Sequence, residues 1–321
     1  MNILITGAAG FIGYHTCLKF LNKNFKVIGV DNLNDYYDLK LKKKRLENLS
    51  KFKNFNFYKI DISKKKNWQI LKKKKIDKAI HLAAQAGVRF SLLQPSQYVE
   101  ANLIGTYNLI EFCKNKKINH IIFSSSSSVY GDNKKLPFNE KHFTDNPIQF
   151  YAATKKSCEV MISSYCQLYS MNADILRFFT VYGPFGRPDM ALFKFVKKIS
   201  ENKPIDVYNK GNHSRDFTYI DDVVSAIYQI TLIRNKEKKT NILNICSGKK
   251  IKITKMISIL QSLVNKKIKI RYKKLQKGDM VNTFGDNIKL KRYIKFKKTI
   301  TIEKGIKNFI DWYKNFYNVK L

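Results

Sequence analysis

The chain has 321 residues, 44% apolar and 13% aromatic, which is enough to bury a sizeable core and excludes a disordered polymer. No apolar run approaches the roughly 18 residues that cross a bilayer, so membrane insertion is not expected. The formal net charge of +37 has the sign of a nucleic-acid binder. The excess, however, is lysine in short scattered runs such as 41–45 and 71–75, with no nucleic-acid motif beside it. Lys, Asn and Ile are all plentiful and share A/T-rich codons, so the charge reads as composition bias on solvated positions rather than as a nucleic-acid partner.

Apolar strand patterns at 2–6, 26–30, 55–60, 78–83, 120–125 and 173–178 alternate with helical patterns, among them 11–22, 98–114 and 150–169. That repetition predicts an α/β fold, with a doubly wound parallel sheet covered on both faces. After Thr180 the stretch VYGPFGRPDM carries two Pro and two Gly, the composition of a loop or lid. The run NILNIC (241–246) is placed to rejoin the sheet, and 248–321 reads as a smaller basic α/β portion. The expected division is a nucleotide-binding domain at 1–179, rejoined by about 218–247, and a substrate domain at 180–217 and 248–321. Five scattered cysteines (Cys17, Cys113, Cys158, Cys166 and Cys246) without C-x-x-C spacing argue against a disulfide framework or a metal site. With an apolar strand in place of a signal peptide's basic start, they point to the cytoplasm.

ITGAAGFIG sets Gly7, Gly10 and Gly13 between the first strand and the first helix, where glycines let backbone approach a pyrophosphate at a helix N-terminus. Asp31 ends the second strand at the interval at which a carboxylate binds the ribose hydroxyls of NAD and repels the extra phosphate of NADP. Asp61, ending the third strand, either reaches the adenine or is a turn residue. Phe11, Ile12, Asn32, Ile62, Leu82, Ala83 and Ala84 complete the expected cofactor lining. YAATK then places Tyr151 and Lys155 on one face of a helix. A phenol titrates near pH 10, and a neighbouring ammonium favours the phenolate needed for proton abstraction. Just before them, FSSSSSVYG (123–131) runs an apolar strand into five serines.

Together these residues resemble the extended short-chain dehydrogenases/reductases, and within them the nucleotide-sugar epimerases of the UDP-glucuronate 4-epimerase branch. The likeness extends over DNLNDYYDLKLK (31–42), HLAAQAGVRFSL (81–92), RFFTVYGPFGRPDMALFKF (177–195), PIDVYNKGNHSRDFTYIDDVV (204–224) and the tail KNFIDWYKNFY. It implies a Rossmann domain, a C-terminal substrate domain, a tightly held NAD, a homodimer through helices 98–114 and 150–169, and a role in polysaccharide biosynthesis. It also implies that Tyr151 takes the proton of the sugar's C4 hydroxyl as the C4 hydride passes to NAD. Lys155 would hold the nicotinamide ribose and lower the Tyr151 pKa, and Ser126 would relay the proton. Hydride return to the other face of the 4-keto sugar would invert C4.

Related dehydratases carry an Asp-Glu pair where Ser127 and Ser128 stand, and related uronate decarboxylases carry Glu at the position of Ser128. Their absence favours epimerisation, of UDP-glucuronate or else of a neutral or N-acetylated UDP-hexose. Ser127, Ser128 and Thr180 either bind the substrate carboxylate or simply bond backbone. By resemblance Arg215 grips the pyrophosphate, Asp279 binds the ribose of the uridine, and Val207 and Tyr208 lie near the uracil. Lys277 replaces the proline of many relatives in that loop. Arg89 and Arg187 are either substrate contacts or members of ion pairs. Asn102 is either near the nicotinamide or part of helix packing.

Overall fold

Residues 1–233, 240–276, 278–297 and 299–321 are described by a computed structural model. Strand β1 (Asn2–Thr6) sends Ile3 and Ile5 into one buried cluster and Leu4 into another, as the period-2 alternation of a strand requires. Both faces of the sheet are therefore covered. The strands β2 (Lys26–Asp31), β3 (Phe55–Lys59), β4 (Lys78–His81), β5 (His120–Ser126) and β6 (Asn172–Phe178) follow. With Thr240–Ile245 they form one parallel seven-stranded sheet, ordered Thr240–Ile245, β6, β5, β4, β1, β2, β3. Chain direction across the sheet reverses between β1 and β4, so a crevice opens at the carboxyl ends of these strands. NILNIC thus rejoins the sheet beside β6, in the register Ile242 opposite Ile175.

Helix α1 (Phe11–Leu21) begins directly after the glycine turn. Helix α2 (Leu39–Ser50) was invisible to apolar patterning because lysines fill it; only Leu41, Lys42, Arg45 and Leu49 are buried. The expected helix over 98–114 is instead interrupted. A π-helical turn, Val99–Ile104, precedes the α-helix Gly105–Asn115. Its cause is Asn102, whose buried amide accepts from Gln85 N at 2.8 Å and donates to Gln85 O at 3.2 Å and Thr154 Oγ1 at 3.0 Å.

Over the carboxyl ends lies a second layer built from short strand pairs. Ile205–Tyr208 pairs with Ile270–Lys273, and Ser214–Arg215 lies between Ile251–Lys252 and Asn282–Thr283. The helix Ala191–Ser200 and the C-terminal helix Ile302–Tyr317 pack their apolar faces through Phe193, Phe309 and Tyr313. The carboxyl ends of the sheet and this layer enclose the site.

Candidate active site

A cavity of about 760 Å³ runs along the carboxyl ends of the strands, from Gly7 to Thr283. At one end Gly7 takes φ +73°, and its N–H and that of Ala8 donate to Val30 O at 2.7 and 3.1 Å. A Cβ on Gly13 would stand 1.9 Å from Gly7 O, so only glycine lets α1 start this tightly against the turn. Gly10 caps α1 without a side chain, which leaves backbone N–H groups for an anion. Asp31 Oδ2 accepts from Ala9 N at 3.1 Å and Oδ1 from Leu33 N at 2.9 Å. Burial raises its pKa, with Lys42 the leading opposing influence. Phe11, Ile12, Asn32, Ile62, Leu82, Ala83 and Ala84 line the same end. This glycine cradle and its buried acid fit a dinucleotide.

Asp61 lines the cavity and is also a turn residue: its Oδ1 accepts from Ser63 N at 2.9 Å and Ser63 Oγ at 2.7 Å. Asn102 does not line the cavity. Its amide is spent on Gln85 and Thr154, so it positions a loop and the helix that carries Tyr151, and the helix-packing reading is the one the geometry supports.

In the middle of the cavity, helix Phe150–Leu168 presents Tyr151 and Lys155 one turn apart. Lys155 is buried; its Nζ donates to Ser124 O at 2.8 Å and lies 4.9 Å from the Phe123 ring centroid. Burial brings its pKa down to about 8. Burial raises the Tyr151 pKa, and the largest influence favouring the phenolate is the Arg187 guanidinium, followed by a hydrogen bond with Ser126. Arg187 is thus a positively charged neighbour of the phenol that the sequence alone did not assign to it.

Ser124, Ser125 and Ser126 end β5, and Ser127 and Ser128 open the helical turn that follows. Ser124 supplies its carbonyl to Lys155, while Ser126 faces Tyr151 and caps the following turn by accepting from Ser128 N at 3.2 Å. Ser125 lines the cavity too, and its hydroxyl donates to Glu159 Oε1 at 2.5 Å. Glu159 also takes two hydrogen bonds from Arg177, at 3.0 and 2.8 Å, in a pair that is 2–3% exposed. Ser127 and Ser128 line the cavity beside Thr180.

The far end is crowded with charge. Arg187 binds Asp189 through two contacts of 2.9 and 2.5 Å, and Tyr36 donates to the same carboxylate at 3.2 Å. Arg89 donates to Asp279 at 2.9 Å, its guanidinium 4.6 Å from the Tyr208 ring centroid. Both arginines line the cavity and are ion-paired there. Arg215 donates to Ser214 O and Val281 O at 3.0 and 3.1 Å and lines the cavity with Val207 and Tyr208. Lys277 lies outside the described residues. Sequence reasoning missed Lys194 and His213, which line this end too, although they lie within the stretches 177–195 and 204–224. It also missed the Glu159–Arg177 pair, although Glu159 lies one turn beyond Lys155 on the same helix. Among the described residues no cluster of three His, Cys, Asp or Glu is placed to hold a metal ion, and no helix is long and apolar enough to cross a membrane. All five cysteines are free and buried.

Comparison with known proteins gives this geometry a family. An uncharacterized protein of Methanocaldococcus jannaschii is 46% identical over 319 residues, covering 97% of this chain and 96% of that protein. The UDP-glucuronate 4-epimerase of Thermodesulfobacterium geofontis is 42% identical over 323 residues, covering 99% and 97%. The crystal structure of UDP-glucuronic acid 4-epimerase from Bacillus cereus in complex with UDP-glucuronic acid and NAD superposes with a TM-score of 0.93 at 33% identity, covering 99% of this chain and 100% of that one. Residues 3–246 match the NAD dependent epimerase/dehydratase family, and the chain belongs to it.

Proposed function

We propose that the protein is an NAD-dependent UDP-glucuronate 4-epimerase, inverting C4 through a transient 4-keto sugar. The observation that carries this reading is the convergence of Tyr151, Ser126 and Lys155 between a dinucleotide cradle and a cation-rich end, with hydroxyls rather than acids at 127 and 128. The cradle Gly7, Gly10 and Gly13 with Asp31 would hold NAD, which supplies reversible hydride acceptance. Tyr151 removes the C4 hydroxyl proton, Ser126 relays it, and Lys155 keeps positive charge beside the reacting face. Arg215 holds the pyrophosphate, Asp279 the ribose, and Val207 and Tyr208 the uracil. The 4-keto uronate is a β-keto acid prone to lose CO₂. Ser127, Ser128 and Thr180 hold its carboxylate, and no acid stands at 127 or 128 to assist elimination or decarboxylation. The similarity to relatives named UDP-glucuronate 4-epimerase supports the uronate over a neutral hexose.

The test is incubation of pure protein with UDP-glucuronate, followed by NMR. UDP-galacturonate is the expected product. Conversion of UDP-glucose or UDP-GlcNAc instead would overturn the uronate reading, and a UDP-pentose would mean that decarboxylation prevails.

We also infer a cytoplasmic homodimer that supplies an activated uronate for polysaccharide synthesis. Ile104, Tyr107, Phe150, Val160 and Leu168 are exposed apolar side chains on helices 99–115 and 150–168, and pairing two copies through these helices would cover them. Sedimentation at micromolar concentration would show a monomer if this is wrong. The division into a nucleotide-binding part (1–179, with 218–247) and a substrate part remains our reading of the two layers.

A further inference from the structure

Helices α1 and α2 also hold the loop that carries Arg187. Arg45, on α2, is fully buried. Its Nη1 donates to Ala9 O at 2.7 Å and to the Tyr37 hydroxyl at 2.8 Å, and its Nη2 donates to Phe185 O at 2.6 Å. Its Nε has no partner. A buried guanidinium bonded only to neutral oxygens is an expensive way to fill space. What it joins explains its place. Ala9 lies inside the glycine turn, and its own N–H goes to Asp31 at 3.1 Å. Phe185 stands two residues before Arg187.

The preceding carbonyl of that loop is gripped from the same side: His15 of α1 donates from Nε2 to Pro184 O at 2.9 Å. A carbonyl can only accept, so Nε2 carries the proton. Phe185 has φ +55°, a conformation that a bulky side chain keeps only when its surroundings impose it. Ring contacts with Tyr14 and Trp312 at 4.9 and 5.0 Å, and the hold on its carbonyl, impose it here. The other end of the loop is tied as well, since Tyr36 donates to Asp189, the partner of Arg187.

We propose that Arg45 is a positioning residue that couples the NAD cradle to the loop 183–190, and hence to Arg187 at the substrate end. A seated cofactor fixes Ala9 and Asp31, Arg45 carries that constraint to Phe185 O, and Tyr36 secures the far end of the loop. Coupling of this kind is reciprocal, so a bound sugar nucleotide tightens the hold on NAD. The inference rests on the proposed function, with NAD and a UDP-uronate at the two ends of the cavity.

The test follows the release of bound NAD from holoenzyme by exchange with labelled NAD, with and without saturating UDP-glucuronate. In the unaltered protein the sugar nucleotide slows release about five-fold or more. In Arg45→Met that ratio falls close to one, and in Tyr36→Phe it is reduced. A merely structural arginine would change the melting temperature but not the ratio. Retention of the full ratio in Arg45→Met, or no ratio in the unaltered protein, overturns the coupling. Should Arg45→Met fail to fold, an unchanged ratio in Tyr36→Phe overturns it. A parallel titration separates the two readings. UDP-glucuronate binding without a ratio removes the coupling alone, whereas absence of binding removes the substrate reading with it.

Discussion

The two ends of the cavity are built on different principles. The cofactor end is shaped by backbone: a glycine turn, a helix start with no side-chain cap and one buried acid, all within residues 6–33. The substrate end is made of charged side chains from distant segments, already paired with one another: Arg89 with Asp279, Arg187 with Asp189, and Lys198 with Asp206. A backbone cradle holds its shape with or without a ligand, whereas paired charges must be shared with a ligand that arrives. Recognition at the first end is therefore set by shape. At the second it is set by competition among ions, which salt and pH can shift.

Between the two ends, replacement of Tyr151 by Phe gives the largest expected effect. Turnover falls about 10³-fold while NAD stays bound, as measured by NMR rate and by cofactor content. Retained turnover would break the assignment of the phenol. At the cofactor end, Asp31→Ala removes a carboxylate that serves charge-assisted hydrogen bonds, and NAD affinity should fall about 10- to 100-fold by calorimetry. The Arg187→Met variant tests the link between the ends. The Arg187 guanidinium favours the Tyr151 phenolate, so without it the phenol holds its proton to higher pH. The rising limb of the kcat–pH profile should then move upward in pH, and a limb that stays in place would show that the two groups do not communicate. Smallest is Arg89→Met. The Arg89 side chain is 43% exposed, so its pair with Asp279 is screened, and UDP affinity should fall only about two- to five-fold.

The serine run shows how far local sequence reasoning reaches. That 120–126 is a buried strand ending in hydroxyls was legible from HIIF followed by serine. That the Ser125 hydroxyl is taken by Glu159, the partner of Arg177, while Ser124 serves Lys155 through its carbonyl, was not. Period-2 alternation predicts two faces but not what lies against each. The helix over 98–114 was legible as helix but not as interrupted, since the interruption comes from hydrogen bonds between Asn102 and residues 17 and 52 positions away. Helix α2 escaped because its lysines hide the few buried positions.

The alternation that makes the parallel sheet, the glycine turn with Asp31, and the Tyr151–Lys155 pair are legible along the linear chain, because each depends on spacing within one or two neighbouring elements. That Arg187 stands close enough to favour the Tyr151 phenolate, that Arg89 meets Asp279 across 190 positions, and that Arg45 joins the NAD turn to the substrate loop emerges only once the chain is folded. Those relations depend on where the chain returns in space, and no local pattern of residues encodes that return.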